Sequence, residues 1–174
     1  VEGGVGGGLR VGRGRDWSVF GDEGGIVEKY IVGAQHVEVQ SVGDGEKAIH
    51  FGERFCSIQR RHQKLVEEGP WLEPEVREKI GALVCRGAEQ VGYKGLATFE
   101  FLRDKNGDFY FLEVNPRVQV EHTVTEMITG CNLVELGIRV AQGEPLPLSQ
   151  DDISWRGHAI QCRINAEDPV GFAP

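Results

Sequence analysis

Glu100 and Glu113 flank Asn106-Gly107, a dipeptide that often closes a two-residue hairpin turn. Such a turn makes Lys105 face Asp108 and sets Glu100 directly opposite Glu113, their Cβ atoms about 4.5–5.5 Å apart on one face of the ladder. Thr98 and Asn115 pair on that same face, while Phe99, Phe101, Leu112 and Val114 take the other and read as core. Like charges in direct opposition weaken a sheet unless something lies between them. Two carboxylates and a carboxamide oxygen form a hard-oxygen set suited to Mg2+, which takes few protein ligands and shares the remainder with phosphate. The competing reading is two side chains splayed into water on an exposed face. Register separates the two, because a slip of one residue puts the carboxylates on opposite faces.

Gln59-Arg60-Arg61-His62-Gln63-Lys64 gathers cations in an otherwise acidic chain. Arg offers forked donors and Lys a point charge, a combination that suits phosphate or a small oxyanion, although a solvated surface loop has the same composition. Beyond the hairpin, Asn115-Pro116-Arg117 leads into Glu121-His122. Arg117 and Glu121, four residues apart, read equally as a plain ion pair or as an acid–base pair beside the metal face. His36 and Arg163 have no local explanation and read as structural. The opening GGVGGGLR, with Gly6 and Gly8, resembles a loop whose glycines let backbone N–H groups approach phosphate oxygens. It lacks both the GK[ST] ending and a preceding strand, so it matches neither standard nucleotide fingerprint.

The elements around these groups follow from apolar periodicity. Eleven of the 25 glycines fall in the first 33 residues, and residues 1–25 read as loop. Strand-like runs follow at Ile26–Val32, His36–Val42 and Ala48–Gly52, the middle one alternating around polar Glu38 and Gln40. Residues 53–72 read as a long polar loop without strands, of the kind that is usually functional or disordered. Pro74 opens a helix whose apolar residues, Val76, Ile80, Leu83, Val84, Ala88 and Val91, recur at three- and four-residue spacing up to Gly92. A second helix spans Asn132–Gln142, and a last strand His158–Asn165.

Composition excludes some classes of function. The formal net charge of −8 argues against nucleic acid as the main partner, which requires a clustered basic excess. No apolar run approaches the roughly 18 residues of a membrane span. The four cysteines, Cys56, Cys85, Cys131 and Cys162, form no CxxC pair and read as reduced thiols rather than zinc ligands.

Five strings together carry a resemblance: EKYI at 28–31, HVEVQ at 36–40, ERFCSIQRRHQKLVEE at 53–68, FYFLEVNPRVQVEHTVTEMITG at 109–130 and GHAIQCRINAEDP at 157–169. In order and spacing they resemble the ATP-grasp core of biotin carboxylases. The resemblance implies an α+β ATP-grasp fold, antiparallel sheets with packed helices. It implies ATP, Mg2+ (or Mn2+) and carrier-bound biotin as cofactors and substrate, with bicarbonate carboxylating biotin by way of carboxyphosphate. Glu28, Lys29, Tyr30 and Ile31 would hold adenine, His36, Gln59 and His62 the ribose and phosphates, and Gly6 and Gly8 the phosphate loop. Glu100, Glu113 and Asn115 would bind the metal. Lys64, Arg117, the backbone of Val120 and Arg163 would surround bicarbonate and biotin, with Glu121 as the base.

Three departures qualify the expectation. The lysines that precede the glycine loop in this family have no counterpart here. The loop itself is altered, with Val5 among its glycines, Gly7 in place of a basic residue and Leu9 in place of Met. Only VGRGRDWSVFGDEGG stands where a lid helix is expected. The chain begins with Val1 rather than Met and stops at Pro174, so it is expected to be truncated at both ends and inactive alone. The expected parts are a shortened lid with the glycine loop over 1–50, the core over 51–150 and the start of a C-terminal domain over 151–174. Expected partners are biotin carboxyl carrier and carboxyltransferase domains or subunits, with a homodimer or larger assembly at full length, in the cytoplasm or, in a eukaryote, the mitochondrial matrix. The final acceptor, pyruvate or an acyl-CoA, stays open. The alternative is a non-catalytic remnant or interaction subunit that keeps the metal and nucleotide residues.

Overall fold

The computed structural model describes residues 30–168 and 170–171. From Gly33 onward the chain forms one compact unit. Its strands are β1 (Gln35–Asp44), β2 (Ala48–Arg60), β3 (Gln63–Gly69), β4 (Lys94–Arg103), β5 (Phe109–Asn115) and β6 (Ala159–Cys162). They make a single sheet in the order β5-β4-β1-β2-β3-β6, and every neighbouring pair is antiparallel. The helices are α1 (Pro74–Gln90), α2 (His122–Thr129) and α3 (Leu133–Ala141). None of the described helices is long and apolar enough to cross a membrane.

Strand alternation sends the two faces of the sheet to different helices. Odd positions of β1, Val37 and Val39, pack with Phe101, Leu72 and the α1 residues Ile80 and Val84. Even positions face the other way, where Val42 joins Ile49, Phe51 and Leu96 beneath Leu133, Leu136 and Val140 of α3. Asn132 caps α3, its side chain accepting from the Glu135 N–H, so the boundary expected at Asn132 is the cap. Between α3 and β6, Trp155 donates to the Phe51 carbonyl at 2.8 Å. The Gln150 side chain both donates to and accepts from the His50 backbone.

Close packing of α1 on β2 depends on Gly81, where an added Cβ would stand 2.4 Å from ring atoms of buried His50. Gly81→Ala is expected to destabilise the fold by about 1–3 kcal/mol, the usual range for overpacking, despite the better helix propensity of Ala. A urea titration of the variant against the parent measures it.

Several expectations change. Residues 53–72 contain most of β2 and all of β3 rather than a strandless loop. Their inward residues, Glu53, Arg54, Lys64 and Glu67, are charged yet buried, so no apolar alternation marks them. The turn between the two strands, Arg61-His62, has positive φ at both residues (51° and 65°), the requirement of a tight hairpin turn normally met by Asn or Gly. That backbone costs about 1–2 kcal/mol per non-glycine residue. Residues 30–32 are not strand, and the rest of the expected Ile26–Val32 run lies outside the described residues. Helix α2 covers His122–Thr129, a stretch with no expected element, and Gly130 in the left-handed region stops it.

Candidate active site

One face of the sheet changes character row by row. Along β1 and β4 the facing pairs run Val42–Leu96, Gln40–Thr98, Glu38–Glu100 and His36–Leu102. The first pair is core and the second is buried and hydrogen-bonded. The third belongs to a row of four charges across four strands, Glu113, Glu100, Glu38 and Arg54, each directly paired with the next. The expected opposition of Glu100 with Glu113 and of Thr98 with Asn115 is therefore present. The turn that produces it differs from expectation. Arg103 faces Phe109, and a register shift between Glu100 and Phe101 restores the pairing, so Asp104–Asp108 form the loop instead of Asn106-Gly107 alone. The same shift leaves Leu112 41% exposed, lining a hollow beside Glu113 instead of joining the core; Val114, 37% exposed, is likewise at the surface.

Three carboxylates in a row need cations, and β2 and β3 supply them. Lys64 donates to Glu38, to Glu100 at 3.0 Å and to Glu121 at 2.7 Å. Arg54, fully buried, donates to Glu38 at 2.5 Å, Gln40 at 2.9 Å and Thr125 of α2 at 2.7 Å. Glu121 receives a second cation, Arg163 Nη2, at 2.9 Å, while Arg163 Nε donates to Glu67 at 2.7 Å. Burial opposes ionisation of Lys64, but Glu38 and its neighbours win and raise its pKa. Burial likewise works against the Glu121 carboxylate, and Lys64 holds it below the ordinary range.

Glu100 shows the same contest. Burial would raise its carboxyl, but His36, whose Nε2 lies 2.7 Å away, and Lys64 hold it at about 2. A depressed folded-state value makes this stabilisation fully present above the unfolded carboxyl's pKa near 4.5 and lost as pH falls toward 2. Acid unfolding of Glu100→Gln is accordingly expected to be shallower than that of the parent between pH 4.5 and 2, as followed by circular dichroism.

Most of the residues singled out in the sequence converge on this face. His36, His62, Lys64, Glu100, Glu113, Asn115, Arg117, Val120, Glu121 and Arg163 line a cleft of about 290 Å3. Gln59 lines an adjoining hollow of about 390 Å3 that shares His36, His62, Glu100 and Glu113. Arg117 and Glu121 do not pair. Arg117 reaches Asn115 Oδ1 and the Val118 carbonyl instead, because α2 turns Glu121 inward toward Lys64. Tyr30 is 85% exposed and Ile31 half-buried. Glu28, Lys29, Gly6 and Gly8 lie outside the described residues, as do the altered glycine loop and the shortened lid segment. Gln119 lines the cleft, and Glu38, Arg54 and Glu67 lie behind it and hold its cations or carboxylates, without having been singled out. For Glu38, the signal available was a charged residue at an inward parity of a strand.

The residues present fit a divalent cation. Asn115 Nδ2 stands 3.0 Å from Glu100 Oε1 and 3.3 Å from Glu113 Oε1, so a donor already bridges the two carboxylates. Turning the carboxamide over would present Oδ1 to the same point and complete an oxygen set.

The sequence matches the family model for the carbamoyl-phosphate synthase L chain, ATP binding domain, over residues 10–149. It is 53% identical to a pyruvate carboxylase subunit of Methanothermobacter thermautotrophicus over 90% of this chain and 33% of that protein. With a biotin carboxylase of Nostoc it shares 51% identity over 90% of this chain and 36% of the relative. The chain thus spans about a third of the length of these curated relatives. Among solved structures, it resembles the biotin carboxylase domain of Hydrogenobacter thermophilus 2-oxoglutarate carboxylase in complex with MgADP, ADP and bicarbonate. The TM-score is 0.91 at 50% identity, covering 96% of this chain and 38% of that one. A Campylobacter jejuni biotin carboxylase in a β-γ-ATP complex gives a TM-score of 0.90 at 47% identity, covering 95% of this chain and 38% of the other. The antiparallel sheet flanked by helices and the cleft of paired carboxylates and cations agree with the match over residues 10–149: the chain belongs to the family of carbamoyl-phosphate synthase L chain ATP-binding domains.

Proposed function

We propose that this chain forms the bicarbonate-activating part of a biotin carboxylase, which uses ATP and bicarbonate to carboxylate biotin on a carrier protein. The observation that supports it best is a buried carboxylate, Glu121, held between Lys64 and Arg163 in the same cleft as Glu100, Glu113 and Asn115. Glu121 takes the proton of bicarbonate as its oxygen attacks the γ-phosphoryl group. Lys64, Arg117, the Val120 backbone and Arg163 hold the anion, and phosphoryl transfer then needs positioning and cancellation of charge more than covalent help from the protein. A divalent cation on Glu100, Glu113 and Asn115 would supply part of that cancellation. His36, Gln59 and His62 are assigned to the ribose and phosphates of the nucleotide, Glu28, Lys29, Tyr30 and Ile31 to its adenine, and Gly6 and Gly8 to its phosphates. Arg163 stabilises the enolate-like form of biotin.

The proposed surroundings are a biotin carboxyl carrier and a carboxyltransferase, in a homodimer or larger assembly, in the cytoplasm or mitochondrial matrix. Segments 1–50, 51–150 and 151–174 are proposed as lid, core and the start of a following domain, with all three contributing strands to one sheet. The test is phosphate release from Mg·ATP by the chain, with and without bicarbonate and free biotin. Bicarbonate-dependent release supports the reading. No release, beside an active biotin carboxylase in the same assay, would mean that the chain by itself keeps the site residues but not the activity.

A further inference from the structure

Arg163 enters the cleft from just beyond the end of a four-residue edge strand, β6, a weak support for a group that must be aimed. Its backbone N–H donates to the Leu65 carbonyl at 2.9 Å. Its guanidinium is held twice, Nε by Glu67 at 2.7 Å and Nη2 by Glu121 at 2.9 Å. The two holds are not equivalent. Glu121 lines the cleft and, as the base of the proposed reaction, gains a proton in each turnover. An ion pair to it weakens at the moment its charge is neutralised. Glu67 is 0% exposed and sits inside β3, opposite Gln161, outside the residues that line the cleft. One of its oxygens, Oε2, is buried without a hydrogen-bond partner. Arg163 is the cation paired with this carboxylate, and burial pushes the carboxyl up against the opposing pull of Arg163. A buried, incompletely satisfied carboxylate is costly to keep, so its retention calls for a reason.

We infer that Glu67 is the positioning residue for Arg163, holding the guanidinium toward the cleft through Nε while Glu121 gains and loses its proton. The inference rests on the proposed reading of Glu121 as base. It divides the labour on one side chain: Nε is given to a carboxylate that substrate does not reach, and Nη2 to the carboxylate that reacts. Arg suits this because its donors lie in a rigid planar fork, so fixing Nε also aims the other N–H groups.

Two measurements on the chain with 15N-labelled arginine decide it. The Nε–H resonance of Arg163, assigned by its disappearance in Arg163→Lys, is expected to be sharp and slowly exchanging in the parent and in Glu121→Gln, and to be lost in Glu67→Gln. Retention in Glu67→Gln, or loss in Glu121→Gln alone, would overturn the inference. Where phosphate release is measurable, Glu67→Gln is expected to lower kcat of the bicarbonate- and biotin-dependent reaction roughly 10- to 100-fold with KM for ATP within about twofold. A general loss of structure would move both. If Glu67→Gln does not fold, Glu67→Asp keeps the charge but shortens the reach; an unchanged Nε–H signal and rate in that variant would sink the idea. If the complete enzyme that carries this segment responds to no bicarbonate, the reading of function fails, while the resonance still reports whether Glu67 holds Arg163.

Discussion

In the complete enzyme that carries this segment, replacement of Glu121 by Gln is expected to reduce bicarbonate-dependent phosphate release by about 10²–10⁴-fold, the usual contribution of a positioned general base. Glutamine preserves the shape and one acceptor oxygen but cannot take a proton. Both carboxylate oxygens of Glu121 are engaged by cations, Lys64 at 2.7 Å and Arg163 at 2.9 Å, and the group is 1% exposed. Those contacts hold the carboxylate ionised, the form that can take a proton, and they aim it into the cleft. The fold should survive the change. Lys64 retains Glu38 and Glu100, and Arg163 retains Glu67. The readout is phosphate release at saturating Mg·ATP with varied bicarbonate, beside a thermal melt of both proteins. A variant as active as the parent would remove Glu121 from the role of base.

Arg54→Leu is expected to have the largest effect on stability, about 3–5 kcal/mol, the penalty for breaking a buried ion pair by deleting one partner. Arg54 has no exposed surface and satisfies Glu38, Gln40 and Thr125 together, with Thr98 at 3.4 Å. Deletion strands the Thr125 hydroxyl oxygen, leaves Gln40 Oε1 with only the Thr98 hydroxyl at 3.4 Å, and leaves Glu38 with Lys64 alone among its cations. Domains are stable by only about 5–15 kcal/mol, so a loss of this size brings the chain close to unfolding at ordinary temperature. Glu38→Gln in the same background is expected to recover part of the loss, because removing both charges is less harmful than removing one. Equilibrium unfolding in urea of the two single variants and the double variant measures the coupling. Additive effects would mean that the pair does not act as a unit.

The two predictions concern residues of unequal legibility. Glu121 stands out within a polar string beside Arg117, but its partner is not the one the spacing suggests. Helix α2 carries Glu121 inward to Lys64, more than fifty positions earlier in the chain. Arg54 has no such signal. It lies in a charged stretch that reads as solvated, and only the stacking of α2 over β2 turns that stretch into interior. The β2–β3 turn is hidden for a related reason: Arg61 and His62 adopt positive φ without the residue types that usually announce it.

What local sequence determined were features governed by neighbours along the chain or by one hairpin. Helix α1 follows from apolar spacing, the cap of α3 from Asn132, and the facing of Glu100 with Glu113 from a turn, reached through a different loop and a compensating shift. The long specific strings carried the family. Tertiary structure decided which polar residues are buried, because burial depends on what lies over a strand and not on its own alternation. It made Glu38, Arg54 and Glu67 interior charges and brought Lys64, Glu121 and Arg163 from three separate segments to one point. The physical reason is that a charge enters the interior only with a partner, and here the partners are supplied by other strands and a helix.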